Sequence, residues 1–275
     1  MGKKKSSYFK NKKPGGISIP PKGSHGILVT CDIRFVNKAV DQVMKFLNSI
    51  VDPLPTTEEE NSNVVEEPQK ELSLEEELAQ LKNPNKKSGD NQPKKKPRFT
   101  TYISEVNGNF FIRFTQDIDD PFVILDKYFE MVKEAGESQT PRVTRLYPIQ
   151  ASGFPSTEES IPVITQLIKD YFKPDHPVKY EVAIERKHKG NGQNETHDEL
   201  NQKIVSIVGQ PHKPSYHEGD VGVLWLSLGR NLYMSVIPKW KEWCGCNVPK
   251  FAAKCVQKND AEKEDAGNEK EKESK

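Results

Sequence analysis

The segment that follows residue 185 carries the side chains best suited to bind phosphate. A predicted strand ends in Arg186-Lys187-His188-Lys189, and residues 190–192 are Gly-Asn-Gly. A helix is predicted to begin near residue 194, and Lys203 lies on it. The free backbone N–H groups and the positive dipole end of a helix N-terminus favour anions. The pattern predicts a phosphate-binding loop, and the alternative is a solvated loop with ordinary surface cations.

A second candidate site alternates aromatic and charged residues, as Lys239-Trp240-Lys241-Glu242-Trp243. Aromatic rings that lie beside cations suit the stacking of unpaired bases next to phosphate contacts. The alternative interpretation is that the two tryptophans, three residues apart, pack against a hydrophobic core as one turn of helix.

Two arginines, Arg142 and Arg145, lie near the start of another predicted strand. Because they are three residues apart, the alternation of a strand places them on opposite sides of the sheet. We expect one of them to be exposed, while the other could pair with a carboxylate. As a bare pair they do not indicate a function.

Four cysteines are present, and three of them lie close together as Cys244, Cys246 and Cys255. These thiols could bind zinc with His212 or His217 as a fourth ligand. The Cys-x-Cys spacing differs from the usual Cys-x2-Cys of zinc sites, so free thiols in a reducing compartment are the main alternative.

Common enzyme signatures are absent from the sequence. It contains no phosphate-binding GxxxxGK[ST] loop and no GxGxxG after a strand. No serine or cysteine lies in a nucleophile elbow. The sequence therefore gives no direct sign of catalysis and predicts no bound cofactor.

Composition indicates folded domains joined to highly charged segments. The 275 residues include 41 Lys+Arg and 40 Asp+Glu, so the net charge of +1 does not by itself indicate a nucleic-acid binder. Charge runs predict a disordered basic arm over residues 1–25, a low-complexity insertion at about 52–98 and a disordered tail over 254–275. Within the insertion, residues 73–81 have the pattern of a short helix. No stretch is apolar enough to span a membrane.

The remaining residues have the periodicity of regular structure. Residues 26–149 predict the order strand, helix, strand, strand, helix, strand, which is typical of a ferredoxin-like domain interrupted by the insertion. Residues 150–253 predict a smaller α/β unit of helices and strands. The expected fold class is α+β.

The second unit and the strand that leads into it resemble the THUMP domain family. Four stretches carry the resemblance, namely Arg142-Val-Thr-Arg-Leu-Tyr-Pro-Ile149, Tyr180-Glu-Val-Ala-Ile-Glu-Arg186, the helix over residues 201–207, and residues 222–237. Over residues 26–250 the chain is similar to the stand-alone, Tan-type THUMP proteins that act as adaptors for tRNA cytidine acetylation.

The resemblance implies a function that the residues alone do not. THUMP domains recognise the acceptor end of tRNA, and an adaptor of this type is not an enzyme. It would present serine and leucine tRNAs to a separate RNA cytidine acetyltransferase, which uses ATP and acetyl-CoA to form 4-acetylcytidine in the D-arm. Such a protein is expected in the nucleus, within the nucleolus, and the basic run at residues 93–98 resembles a nuclear import signal.

Nine residues form the predicted RNA-binding set. The resemblance assigns Arg142 and Arg145 to the basic lead-in strand, Arg186 to the end of the central strand, and Lys203 to the helix that follows. The remaining members extend these positions or come from the aromatic segment: Lys187, Lys189, Lys239, Trp240 and Lys241. Two other functions stay open, a protein-interaction scaffold that uses the charged segments and a metal-dependent RNA-modifying enzyme with an unrecognised site.

Overall fold

A computed structural model describes residues 19–51, 97–187 and 195–257. Several segments named in the sequence analysis fall outside these ranges. They are most of the basic arm, most of the insertion with its short helix at 73–81, most of the basic run at 93–98, and most of the predicted tail. None of the helices in the described ranges is long and apolar enough to cross a membrane.

The first sheet contains four strands in the order β2-β3-β1-β4, and every neighbouring pair is antiparallel. Its strands are β1 (Gly26–Cys31), β2 (Phe99–Ile103), β3 (Asn109–Phe114) and β4 (Val143–Ile149). The central strand β1 is an almost unbroken apolar run, GILVTC, because it is buried on both faces of the sheet.

Two helices cover one face of this sheet. Helix α1 (Val36–Val51) follows β1, and helix α2 (Pro121–Ala135) follows β3. Asp120 caps α2 by accepting a hydrogen bond from the backbone N–H of Phe122, and Pro121 occupies the first turn, where its missing N–H costs nothing. The element order agrees with the order predicted from the sequence.

The second sheet contains five strands in the order β5-β9-β8-β6-β7. Its strands are β5 (Ala151–Gly153), β6 (Lys179–Lys187), β7 (Lys213–Pro214), β8 (Val221–Leu228) and β9 (Asn231–Ile237). The strands β7, β6 and β8 are parallel, whereas β8, β9 and β5 are antiparallel. The protein is thus an α+β fold with one antiparallel and one mixed sheet.

Helices α3 (Thr157–Tyr171) and α4 (His197–Val208) lie on one face of the second sheet. Strand β8 is buried along its whole length, and its residues alternate between two cores. Val223 and Trp225 pack under α3 and α4, whereas Leu224 and Leu226 join the core of the first unit. The alternation of a strand therefore divides β8 between the two halves of the molecule.

The face of the first sheet that the helices leave uncovered packs against the second sheet. Leu28 lies opposite both Phe111 and Tyr147 in register, so the three side chains share a face. The ring of Phe111 is 5.0 Å from that of Tyr233 on β9, and Tyr147 stacks on Trp240 at 6.5 Å. On the opposite face, α1 packs on the sheet.

The chain after β9 returns to the first sheet. Residues 238–246 form turns, and a last helix, α5, covers residues 248–257. The backbone N–H of Leu146 donates to the carbonyl oxygen of Cys246 at 3.1 Å, and Arg145 forms an isolated bridge with Asn247. This C-terminal segment therefore extends the first sheet beyond β4. Helix α5 also continues past the boundary that the sequence predicted at residue 253.

The structure adds local detail that the sequence does not predict. Strand β1 ends at Cys31, because Asp32 accepts from the backbone N–H of Arg34 and starts a 3-10 turn. Helix α4 begins at His197 rather than near residue 194. The short strands β5 and β7 were not predicted, since two or three residues give too little periodicity to recognise.

Gly222 on β8 is required by the close approach of Trp240. A Cβ atom at this position would lie 2.5 Å from Cδ2 of the indole. We predict that Gly222→Ala lowers the free energy of unfolding by about 1–3 kcal/mol, because the rigid ring cannot move without losing its stack on Tyr147. Urea denaturation measures this change.

The matched control is Gly153→Ala, also in a strand, where an added Cβ would meet nothing within 4 Å. This control is expected to leave stability unchanged or to raise it by about 0.5–1 kcal/mol, since alanine restricts the unfolded chain. Equal effects of the two substitutions would contradict the role given to Trp240.

Candidate nucleic-acid interface

A cleft of about 700 Å³ lies where the two sheets and the C-terminal segment meet. Strand β4 contributes Arg145 and Tyr147, and β6 contributes Glu181, Ala183, Ile184 and Glu185. Leu224 and Leu226 of β8 form part of the floor, and the C-terminal segment contributes Trp240, Lys241, Cys244, Lys250 and Lys254. Two strands from different sheets and a helix thus enclose a single concave surface.

Four cations line this cleft: Arg145, Lys241, Lys250 and Lys254. Two carboxylates, Glu181 and Glu185, line the same cleft, so the four cations leave it with a formal charge of +2. The cations come from β4 and the C-terminal segment, whereas both acids come from β6. The positive side chains are therefore concentrated along one wall, an arrangement that attracts a polyanion.

The most available cations are Lys250 and Lys254 on α5. They are four residues apart, so they lie on the same face of the helix. The helix start is fixed by Asn247, whose Oδ1 accepts a hydrogen bond from the backbone N–H of Lys250 at 2.9 Å, and by buried Val248 and Phe251. Neither lysine makes an ion pair with a carboxylate of the described residues.

Arg145 is held in position by its neighbour two residues along the strand. Its Nη1 donates to the hydroxyl oxygen of Tyr147 at 2.7 Å. Burial raises the pKa of Tyr147 to about 12, so the phenol stays neutral and accepts this hydrogen bond at any physiological pH. The remaining donors of the guanidinium can serve a phosphate.

Two lysines at the cleft, Lys241 and Lys187, each have a carboxylate neighbour. The Nζ of Lys241 is 3.9 Å from Oδ1 of Asp220, with both side chains 59% exposed. An exposed pair at that distance contributes little, so Lys241 can exchange this partner for a phosphate. Lys187 pairs with Glu185 at 2.7 Å and thereby neutralises one of the two acids of the cleft.

The start of α4, where the sequence predicts a phosphate site, is occupied by the protein's own side chains. The side chain of Thr196 accepts from the backbone N–H of Glu199, and the Glu199 carboxylate accepts from the backbone N–H of Thr196 at 2.7 Å. This capping box satisfies donors that an anion would need. Hydrogen bonds from Thr196 also lower the pKa of Glu199, so a negative charge sits where phosphate was expected.

Arg186 and Lys203 are both engaged with Glu195. Arg186 donates through Nη1 to the Glu195 backbone oxygen, and Lys203 forms an ion pair with the Glu195 carboxylate. These contacts hold the residue that precedes the capping box. Lys189 and the glycine-rich loop at 190–192 lie outside the described residues.

The aromatic segment packs into the core, which favours the second of the two interpretations of Trp240 and Trp243 given by the sequence. Trp240 is 7% exposed and lies nearly parallel to the ring of Tyr147, at an interplanar angle of 14°. Trp243 is 2% exposed and stacks on Phe129 of α2 at 4.8 Å. Lys239 forms an ion pair with Asp126 on α2. Both tryptophans therefore fasten the C-terminal segment to the two sheets.

Arg142 is separated from Arg145, as their spacing predicts. Arg145 shares its face of the first sheet with Tyr147 and lines the cleft. Arg142 instead lies over the ring of Phe35, with its Cζ 4.1 Å from the ring centroid, on the side where α1 begins. These two members of the predicted set thus belong to different surfaces.

The cysteines form a turn. Cys244, Gly245 and Cys246 have φ angles of 52°, 66° and 60°, a left-handed run that L-residues rarely adopt. It directs the carbonyl oxygen of Cys246 to β4, and burial strongly raises the pKa of this thiol. Within the described ranges, no group of three or more His, Cys, Asp or Glu side chains could hold a metal ion. The zinc hypothesis therefore gains no support.

Sequence reasoning missed Lys250 and Lys254. A usable signal was present, because Val248 and Phe251 have the i, i+3 spacing of a buried helical stripe, with the two lysines outside it. The charged sequence that follows residue 254 obscured this short amphipathic helix.

Comparison with known proteins finds similarity only at the level of structure. No protein-family model matches the chain, and no curated protein sequence matches it. TrmN from Thermus thermophilus has a TM-score of 0.41 at 9% identity, over 77% of this chain and 45% of that chain. PH1313 from Pyrococcus horikoshii Ot3 has a TM-score of 0.40 at 10% identity, over 78% and 56%.

A 4-thiouridine synthetase, solved as an RNA complex with bound ATP, has a TM-score of 0.41 at 7% identity. The match covers 78% of this chain and 41% of that chain. The chain thus spans about half the length of these three solved structures. Similarity at this level does not by itself assign a function.

Proposed function

We propose that this protein binds RNA through the cleft between its two sheets. The observation that carries the proposal is the row of cations along one wall, in which Lys250 and Lys254 have no carboxylate partner among the described residues. Together with Arg145 and Lys241 they can contact successive phosphates of an RNA backbone. Such contacts fix the position and orientation of the RNA but carry little sequence information.

The proposed ligand is tRNA, and the support for this choice is the resemblance of the sequence to THUMP proteins. The architecture is compatible with that resemblance. In the first sheet, each helix connects two parallel strands across an antiparallel neighbour, which supports a ferredoxin-like domain over residues 26–149. We assign the mixed sheet with α3 and α4 to the THUMP domain.

We further propose that the protein is an adaptor without catalytic activity of its own. A separate RNA cytidine acetyltransferase would supply the chemistry, and this chain would hold serine and leucine tRNAs so that a D-arm cytidine reaches that active site. Holding the target converts an encounter into a nearly unimolecular step, an effect of several kcal/mol. The nucleus is the proposed compartment, on the basis of the basic run at residues 93–98.

Within the predicted set of RNA-binding residues, the geometry favours a smaller group. Arg145 and Lys241 line the cleft, and Lys187 lies at its margin beside Glu185. Arg186, Lys203 and Lys239 act in our proposal as structural residues, because each is bound to a group of the protein. Lys250 and Lys254 take their place as the main phosphate contacts.

The proposed interface determines how tRNA binding depends on salt. Replacement of both α5 lysines, Lys250→Gln and Lys254→Gln, should weaken binding of intact tRNA about tenfold or more. It should also reduce the slope of log affinity against log salt by about two, because two phosphate contacts are lost. Fluorescence anisotropy or gel shift at several salt concentrations measures both quantities.

The matched control removes two other exposed lysines with the same change in net charge, Lys127→Gln and Lys133→Gln on α2. This control should bind tRNA within about twofold of the unaltered chain, since α2 covers the opposite face of the first sheet. If the unaltered chain shows no salt-sensitive tRNA binding, or if both double variants bind equally, the proposed interface is wrong.

The adaptor role predicts how the 4-acetylcytidine content of tRNA in cells depends on this protein. Transfer RNA from cells that lack this protein should have lost 4-acetylcytidine, as measured by mass spectrometry of nucleosides. The unaltered chain should restore the modification, whereas the Lys250→Gln, Lys254→Gln variant should restore much less. Normal levels of 4-acetylcytidine without the protein, or acetyl transfer by the purified chain alone, would refute the adaptor role.

A further inference from the structure

A compact group of cations lies around the ring of half-buried Phe35, away from the cleft. The Cζ of Arg142 lies 4.1 Å from the ring centroid, the Cζ of Arg34 lies at 5.5 Å and the Nζ of Lys38 lies at 5.8 Å. We call Arg34, Phe35, Lys38 and Arg142 the Phe35 patch. Cation–π contacts of this kind restrict the charged side chains to one region of the surface.

The cations of the Phe35 patch are only partly neutralised. Asp32 accepts from Nε and Nη2 of Arg34, and these hydrogen bonds, with a smaller effect of Arg142, lower the pKa of Asp32 to about 2. Arg142 and Lys38 are exposed and make no ion pair with a carboxylate of the described residues. A second acid near the patch is Asp41, which is exposed and lies one turn along α1 from Lys38.

The Phe35 patch and the RNA cleft lie on opposite faces of the first sheet. Thr101, which lies opposite Ile112 in register, contacts Met44 of α1, so α1 covers this face. Tyr147 and Arg145 belong to the other face, which lines the cleft. The Phe35 patch therefore does not line the RNA cleft.

An apolar side chain adjoins the Phe35 patch. Ile33 is 58% exposed, although it belongs to the same short turn as Phe35. A nucleic-acid backbone offers phosphates but no aliphatic side chain to cover an isoleucine, whereas a polypeptide can offer carboxylates and an apolar residue together. Arginines and aromatic residues beside an apolar side chain are also typical of protein interfaces.

We propose that the Phe35 patch, with Ile33, is a docking surface for an acidic polypeptide segment of a second protein, one that carries an apolar residue between its carboxylates. The guanidinium of Arg142 and the ammonium of Lys38 bind the carboxylates, and Ile33 packs against the apolar side chain. This inference goes beyond RNA binding and does not depend on it. It provides the chain with a protein-binding surface on the face of the first sheet that does not line the cleft.

The test uses a fluorescein-labelled peptide, Glu-Glu-Asp-Leu-Leu-Glu-Asp-Glu, and the full-length chain in fluorescence anisotropy at low salt. The acidic peptide should bind, whereas a peptide with Gln and Asn in place of the acids should not. The variant Lys38→Gln, Arg142→Gln should weaken peptide binding about tenfold, because both carboxylate contacts are lost. The control variant Lys127→Gln, Lys133→Gln has the same net charge and should change it less than about twofold.

Two further measurements separate a polypeptide from other anions. Ile33→Ser should weaken binding of the leucine-containing peptide. It should not weaken binding of a peptide with the same acidic residues in which alanines replace the leucines. The Lys38→Gln, Arg142→Gln variant should bind tRNA within about twofold of the unaltered chain. Urea denaturation of each variant confirms that its fold is intact.

Three results would overturn the inference. The first is that the acidic peptide does not bind, and the second is that the patch variant and the control variant bind it equally. The third is that the patch variant loses as much tRNA affinity as the Lys250→Gln, Lys254→Gln variant, which would assign the Phe35 patch to RNA. If the unaltered chain does not bind tRNA, the proposed function is refuted. The inference about the Phe35 patch is not affected, because peptide binding is measured in a separate experiment.

Discussion

The stack of Trp240 against Tyr147 connects the parts of this protein that form its cleft. The indole lies against β4 through Tyr147 and against β8 at Gly222, where no side chain could be accommodated. One buried ring therefore sets the spacing between two sheets. Trp243 repeats the arrangement against Phe129, so the C-terminal segment is attached at two points before α5 begins. The position of the α5 lysines follows from this aromatic packing.

The positions of the charged side chains in this protein are more informative than its net charge. A net charge of +1 over the whole chain conceals a cleft with a cationic wall and a separate cationic patch. Many other basic residues are neutralised locally, as Arg98 is by Asp119 and Arg230 is by Glu105. The pair between Arg230 and Glu105 also joins the β8–β9 turn to the segment between β2 and β3. Beside these ion pairs, a few cations such as Lys250 and Lys254 have no carboxylate partner among the described residues.

Much of the fold could be predicted from the sequence, because a long periodic pattern of apolar residues indicates which side chains of a helix or strand are buried. The helices α1 and α2 and the strands β1, β3 and β8 follow from their apolar patterns. The short strands β5 and β7 exist through pairing with distant residues, which a local pattern does not encode. For the same reason the structure, and not the sequence, reveals that β8 divides its side chains between two cores.

The candidate site was less predictable than the fold. Arg145 and Lys241 were identified from composition and resemblance, and both line the cleft. Local sequence could not show that Glu195 engages Arg186 and Lys203, or that Glu199 occupies the start of α4. Trp240 illustrates the general difficulty, since a tryptophan between lysines suits either an RNA surface or a core, and only tertiary packing decides between them.

The left-handed turn at Cys244–Cys246 has a consequence for association. By presenting the Cys246 carbonyl and Asn247 to β4, the chain pairs with its own outer strand and closes one border of the first sheet at that point. Exposed borders of sheets recruit strands from other molecules, and proteins avoid aggregation by covering them. The left-handed turn at Cys244–Cys246 therefore helps to prevent edge-to-edge association between copies of this protein.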